Sequence, residues 1–324
     1  VLRLAKTIQN ETGQKNLCLA GGVALNCVAN GVLAKHQIFD RIWIQPAAGD
    51  AGCALGAAYK GWYLDMNNTR TLTETDQMKG GYLGTRFSHQ EITNCLESYN
   101  AIFDSADDET LAERVANLIA QGKVVGWFNG PMEFGPRALG SRSILGDPRN
   151  KDMQSVMNLK VKNRESFRPF APMVLEEYAA DWFDLNQNSP YMLLVSGVNQ
   201  QRRLPASHLN TSANGLDQIK QTRSEIPAVT HVDYSARVQT VGKNSNHPIR
   251  RLLEKFHQMT GCPVLINTSF NVRGEPIVQS PDDAYICFMR TGIDVLVLEN
   301  HILLKEEQPE WLETEDWKET FQLD

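Results

Sequence analysis

Between residues 16 and 66, short apolar runs alternate with stretches of small residues, and that alternation most restricts the fold. "NLCLAGG" leads into "VALNCVANGVLAK", and "RIWIQPAAGD" leads into "AGCALGAAYKGWYLD". The first member of each pair has the length and apolar character of a strand. The second is rich in Ala and Gly, so a helix there packs close to a sheet. Strands alternating with helices mean an α/β protein. The preceding stretch, "VLRLAKTIQNETG", places Leu2, Leu4, Ala5 and Ile8 on one side of an amphipathic helix. That helix enters the first strand with no earlier strand to pair with, so the chain is expected to begin inside a larger domain.

Residues 67–88 are polar and glycine-bearing, with no sustained period, and read as a linker. Beyond it, Ser88 and Glu91 have capping-box spacing for a helix over "SHQEITNCLESYN". "DETLAERVANLIAQG" gathers Leu111, Val115, Leu118 and Ile119 on one face and stops at Gly122. Strands are expected at "KVVGWFNG", "RVQTV" (237–241), "PVLINTSF" (263–270) and "VLVLENHILL" (295–304), and helices at "HPIRRLLEKFHQMTG" and "SPDDAYICFMRTG". Residues 305–324, acidic and tryptophan-bearing, read as a terminal helix or tail.

The 324 residues suffice for two domains. A net charge of -6 argues against a nucleic-acid binder with a broad basic face, while leaving room for a local basic pocket. Cys18, Cys27, Cys53, Cys95, Cys262 and Cys287 form no CxxC pair and read as buried free thiols of a reducing compartment. No apolar stretch approaches the roughly 18 residues of a membrane helix, and the start lacks a charged-then-apolar signal. The expected location is the cytoplasm, with no membrane partner.

Three segments carry polar chemistry. In "GKVVGWFNGPMEFGPRALGSRSIL" a strand runs into a glycine-proline loop bearing Arg137 and Arg142. Ligands of α/β sheets sit at the carboxyl ends of strands, and the guanidinium fork suits phosphate or carboxylate. Structural ion pairs on a surface loop are the alternative. "LKVKNRESFRPFAPMVL" concentrates Lys160, Lys162, Arg164 and Arg168 beside Phe167 and Phe170, in an otherwise acidic protein. Two basic clusters, each joined to stiff loop chemistry, point to a polyanion pocket. "LINTSFNVRGEPIV" sends an apolar strand into Asn267, Thr268, Ser269 and Asn271. These side chains offer directional bonds to a ligand, or satisfy their own turns.

Two further signals are weaker. Gly21 and Gly22 turn a strand into a helix, where backbone can approach a phosphate. Asp50 reads as a helix N-cap or a metal ligand. The seven histidines, including His208 and His231, are scattered, and no nucleophile motif occurs. Electrostatic phosphate chemistry is therefore favoured over covalent catalysis.

Together "LAGGVALNCVANG", "QPAAGDAGCALGAA", "EFGPRALGSRSIL", "VKNRESFRPFAP", "SARVQTV" and "NTSFNVRGEPIV" resemble the carbamoyltransferase family of the nodulation protein NodU and tobramycin carbamoyltransferase, in the family's order from residue 1 to about 305. The resemblance implies that residues 1–66 end an actin-like or sugar-kinase-type domain and that residues 89–324 form a YrdC-like α/β domain. It implies formation of carbamoyl adenylate from ATP, with Mg2+, and carbamoyl phosphate, followed by transfer to an acceptor hydroxyl. By motif, Arg137 is an anion ligand, Lys162 and Arg168 hold phosphates, and Arg237 and Ser269 complete the pocket, with Asn267, Asn271 and Arg142 beside them. Gly21, Gly22 and Asn26 resemble the adenylate-cradling turn, and Asp50 the carboxylate of the family's iron or zinc site. The histidines of that site lie upstream in the family, so the chain looks N-terminally truncated. It is expected to lack the metal, with Asp50 instead capping its helix through backbone N–H bonds. Self-association is expected to cover its open apolar face. The alternative function is a nucleotide- or RNA-binding module without turnover.

Overall fold

The computed structural model describes residues 1–73, 75–205, 215–219, 221–245 and 247–311. Residues 1–66 hold α1 (Leu2–Thr12), β1 (Asn16–Leu19), α2 (Cys27–Lys35), β2 (Arg41–Ile44) and α3 (Ala51–Lys60). The two strands pair in parallel, from Asn16 opposite Arg41 to Leu19 opposite Ile44. The expected alternation is thus present. Its apolar side is completed by later parts of the chain: Leu33, Phe39, Ile42 and Ile44 are buried in one cluster with Leu139, Tyr191, Leu193 and Leu194. Buried Asn30 fixes the contact, donating to Ala24 O (2.8 Å) and Leu193 O (3.1 Å). Elsewhere in this segment, Val23, Val28, Trp43, Trp62 and Leu64 are exposed.

The remainder comprises α4 (His89–Ser98), β3 (Asp104–Ser105), α5 (Asp108–Ala120), β4 (Val125–Phe128), β5 (Arg142–Gly146), α6 (Met153–Val156), β6 (Ala171–Leu175), α7 (Ala179–Trp182) and β7 (Leu194–Gly197). Then follow α8 (Leu216–Ile219), β8 (Ser235–Val241), α9 (His247–Thr260), β9 (Val264–Ser269), α10 (Pro281–Arg290), β10 (Val295–Leu298) and β11 (His301–Leu304). The Ser88–Glu91 capping box forms at α4. The nine strands from β3 onward make one sheet in the order β3-β11-β10-β4-β5-β9-β6-β8-β7. The β10–β4 and β6–β8 pairs are parallel and the others antiparallel, so the architecture is mixed α/β. Every residue of β4, β5, β6 and β10 is buried, as strands covered on both faces require. No described helix is long and apolar enough to cross a membrane.

Some expectations are corrected. "VLVLENHILL" is a hairpin rather than one strand, because Glu299 takes a left-handed turn (φ 50) and Leu298 pairs back on His301. Of the six cysteines, Cys95, Cys262 and Cys287 are buried, whereas Cys18 and Cys53 are exposed and Cys27 is intermediate. The latter three lie in the N-terminal segment, which packs against the remainder on one side. Residues 312–324 of the expected tail, and His208, lie outside the described residues.

A candidate anion site

Lys162 ends a π-helical turn, Met157–Val161, and its side chain is buried at 3% exposure. The ammonium donates to the carbonyls of Ser269 and Asn271 (2.9 Å for Asn271), to Asn271 Oδ1 (2.7 Å) and to Ser269 Oγ (3.2 Å). All four acceptors are neutral oxygens. Burial, and then repulsion from Arg164, brings the lysine down to about 7. Asn271 is itself fixed, accepting from Ser269 Oγ (2.6 Å) and donating to Glu275 O (2.6 Å). The strand end "NTSFN" therefore positions the cation that the sequence placed in a different motif.

The arginine loop is joined to the same sheet face. Asn267 Nδ2 donates to Gln239 Oε1 (2.7 Å) and to Ala138 O (3.0 Å), and Gln239 Nε2 donates to Leu139 O (2.7 Å). Alternation along β8 puts Arg237 on the face of Gln239, and along β9 it puts Ser269 on the face of Asn267. Arg237 has a lowered pKa, first from burial and then from the neighbouring charge of Arg137. Arg164 is down to about 10 by burial, with Arg168 and Arg237 adding repulsion. Lys162, Arg164, Arg237 and Arg137 thus form a line of cations that repel one another. Arg168 sits at the rim, 45% exposed, with Nε 2.9 Å from Glu165; Arg273 reaches the same carboxylate at 3.6 Å.

Buried polar atoms in folded proteins nearly always have partners. Among the described residues, Arg137 Nε, Arg142 Nε, Arg237 Nε and Asn267 Oδ1 are buried without one, and of the three guanidiniums Arg137 and Arg237 lie beside each other's charge. Unpaired donors within a cluster of like charges describe a site whose missing member is an anion.

The second loop arginine has a different job. Arg142 is 0% exposed, its guanidinium stacked 3.4 Å over Phe128. Its Nη1 donates to Gly130 O (2.9 Å) and Ser141 O (3.1 Å), and its Nη2 to Thr85 O (3.3 Å). Beside it, buried Glu133 accepts the backbone N–H groups of Leu139 (2.7 Å), Ser141 (2.7 Å) and Arg142 (3.4 Å). Gly135, at φ 137, lets the loop lie on the N-terminal segment; a Cβ there would stand 3.0 Å from Pro46 O. Glu133 and Arg142 brace the turn from which Arg137 projects.

The N-terminal candidates are placed less closely. Cys27, at the start of α2, lies close enough to Arg237 to influence it. Asn26 caps that helix, its Oδ1 accepting from Ala29 N (3.0 Å). Gly21 (φ 93) and Gly22 are exposed, with nothing within 4 Å of where a Cβ would stand. Asp50 holds the N-cap position of α3 but makes no side-chain cap bond, which corrects the expected capping. Its own φ and ψ, −57 and −36, are helical, so the carboxylate does not turn back onto the N–H groups. No trio of His, Cys, Asp or Glu suited to a metal occurs among the described residues. A transition metal does not fit around Asp50 with the donors present.

Sequence reasoning passed over Gln239 and Glu133. Gln239 was accessible as the residue two after Arg237 in a strand. Nothing local marked Glu133, whose role depends on the loop's closure around it. A wide groove of about 2080 Å³ lies elsewhere, bordered by Asp76, Arg86, His89, Glu176, Lys243 and Glu299, and none of the site residues read from the sequence lines it.

The sequence matches two family descriptions: "Carbamoyltransferase C-terminus" over residues 116–305 and "Carbamoyltransferase N-terminus" over residues 1–59. An uncharacterized Synechocystis protein, sll1178, is 55% identical over all of this chain and 53% of its own length. Nodulation protein NolNO of Sinorhizobium fredii is 40% identical over 91% of this chain and 40% of its own length. The chain thus spans about half the length, or less, of these relatives. Among solved structures, full-length HypF in a phosphate- and nucleotide-bound form covers 61% of this chain and 22% of its own, at 17% identity and a TM-score of 0.37, a slight likeness in shape. With a family match spanning residues 116–305, the chain belongs to the carbamoyltransferase family.

Proposed function

We propose that this chain forms carbamoyl adenylate from ATP and carbamoyl phosphate, as part of a protein that passes the carbamoyl group to an acceptor hydroxyl. The observation that carries this reading is the line of repelling cations with the unpaired Nε atoms of Arg137 and Arg237. Both substrates are phosphates, and the chemistry separates phosphate and pyrophosphate from the groups that become joined. Arg137 and Arg237 would bind phosphate oxygens and withdraw charge as the leaving groups depart. Lys162, held by Ser269 and Asn271, would add a fixed positive charge, and Arg168 at the rim would release Glu165 to meet an incoming phosphate. Asn267 Oδ1 is an acceptor in an otherwise donor-rich site and suits the carbamoyl NH2 group. Mg2+ would travel with ATP. In the groove the carboxylates Asp76, Glu91, Asp108, Glu176, Glu177 and Glu299 outnumber the cations Lys79, Arg86 and Lys243, a balance that favours this reading over RNA binding, since it repels a polyanion.

The test is pyrophosphate release from ATP. It should require carbamoyl phosphate and proceed without acceptor. Pyrophosphate release that ignores carbamoyl phosphate, or none at all, would refute the assignment.

A further inference from the structure

The reaction proposed above has a stoichiometric demand that none of the cations meets. Carbamoyl phosphate and ATP yield carbamoyl adenylate, phosphate and pyrophosphate only if one water enters. If the bridging oxygen of carbamoyl phosphate leaves with the phosphate, the carbamoyl carbon must take its new oxygen from water. Water attack needs a proton acceptor, and a site built from Arg and Lys offers donors. Lys162, although brought down to about 7, has its nitrogen already surrounded by four oxygens of Ser269 and Asn271, which leave little room for a water.

His231 supplies one. It opens the turn "HVDYS" that enters β8, with its backbone N–H bonded to Ser235 O (2.9 Å) and Tyr234 in a left-handed conformation at φ 63. Its Nδ1 lies 3.1 Å from Ser235 Oγ. Ser235 Oγ in turn donates its one hydrogen to Asp233 Oδ1 (2.6 Å). The serine therefore has only lone pairs for the imidazole, so Nδ1 carries the proton and Nε2 is the basic nitrogen. Ser235 is two residues before Arg237 in β8, hence on the same sheet face. The Asp233–Ser235–His231 relay thus stands on the cation-bearing face, beside Arg237. Burial first, and then the charge of Arg237, holds the ring below its usual range against the opposing pull of Asp233, so it is a neutral base at physiological pH.

We propose that His231 is the general base that activates this water, an inference resting on the carbamoyl-adenylate reading. The water oxygen bonds to the carbamoyl carbon while Nε2 takes its proton. The carbon–oxygen bond to phosphorus breaks with its electron pair on the departing phosphate, which Arg137 and Arg237 receive. Carbamic acid remains and loses the water's second proton to solvent, and the oxygen of the resulting carbamate attacks the α-phosphorus of ATP, displacing pyrophosphate. The imidazolium proton leaves with the phosphate.

The test compares two starting points in the same chain, carbamoyl phosphate and carbamate, the latter supplied as ammonium bicarbonate at equilibrium. His231→Asn keeps an N–H near the Nδ1 position for Ser235 but removes the basic nitrogen. General-base catalysis contributes about 10²–10⁴-fold. Phosphate release from carbamoyl phosphate should therefore fall by about 100-fold or more, while carbamate-supported pyrophosphate release from ATP stays within about threefold of the parent. Loss of both activities, or of neither, would overturn the proposal. Should the variant fail to fold, the parent chain decides: phosphate release must fall on acidification below the ring's lowered pKa, and its absence would overturn the proposal equally. A parent chain silent from both starting points would instead remove the adenylate reading itself.

Discussion

Lys162 and Ser269 meet at 3.2 Å across 107 residues of sequence, and the lysine finds no carboxylate there. A buried ammonium held only by neutral oxygens has no bonded carboxylate to neutralise it, so whatever charge it carries is open to a ligand. That relationship orients the site, and the arginines around it make it costly to leave empty.

Removing Arg237 should have opposite effects on the free and ligated protein. Arg237→Ala relieves repulsion with Arg137, so the unligated fold should be no less stable in thermal melts. A hydrogen bond to a charged group contributes about 1.5–3 kcal/mol, or roughly 10- to 150-fold in affinity. Pyrophosphate should raise the melting temperature of the parent much more than that of the variant. An equal shift in both would take Arg237 out of the site.

Lys162 should make anion binding proton-linked. Its pKa is about 7 in the fold and 10.5 in the reference state, so near pH 8 much of it is neutral. Binding a phosphate should restore the proton, and calorimetry in buffers of different ionisation enthalpy should register uptake that Lys162→Met abolishes. The same depression has a consequence for stability. Between about pH 7 and 10.5 the unfolded chain holds a proton that the folded chain has released, so this group makes stability rise with pH across that window. Denaturant titrations should show a flatter profile for Lys162→Met.

Glu133 should matter to the fold more than any exposed carboxylate. Glu133→Ala leaves the N–H groups of Leu139 and Ser141 unpaired and Arg142 without its nearest buried countercharge. A loss of about 3–5 kcal/mol in urea unfolding is expected. Glu133→Gln, whose amide oxygen can accept the same bonds, should lose markedly less. Equal losses would mean that charge, not acceptor geometry, holds the loop.

Two side chains at helix starts should behave differently. Asn26→Ala removes a formed cap on α2 and should cost about 1 kcal/mol. Asp50→Ala removes an exposed carboxylate that caps nothing, and should fall within about 0.5 kcal/mol of the parent. A comparable loss at Asp50, read from thermal unfolding, would show that it has a partner in solution.

The sequence alone determined those features that depend on near neighbours. Periodicity located α1, α5, α9 and α10, and the Ser88–Glu91 spacing marked the start of α4, because amphipathic faces and caps are set within a few residues. The strands β1, β2, β4, β8 and β9 were legible for the same reason, and so was the apolar run that Glu299 and Asn300 break into the β10–β11 hairpin; β3, β5, β6 and β7 were not read, since it is their sheet partners rather than local pattern that define them. The motifs also named the cations and the amides. Their division of labour was not legible. Arg137 and Arg142 sit five residues apart in one loop and each has a buried Nε without a partner, yet Arg137 faces the like charge of Arg237 while Arg142 donates from Nη to backbone carbonyls, stacks on a ring and has Glu133 as a countercharge. Only the meeting of β8, β9, the arginine loop and the segment after α6 decides which guanidinium faces other cations. His231 makes the same point: isolated in sequence, it acquires a fixed tautomer and a cationic neighbour only when the turn into β8 closes. Hydrogen bonding and charge act over a few ångströms, and distances of that size between remote residues exist only once the chain has folded.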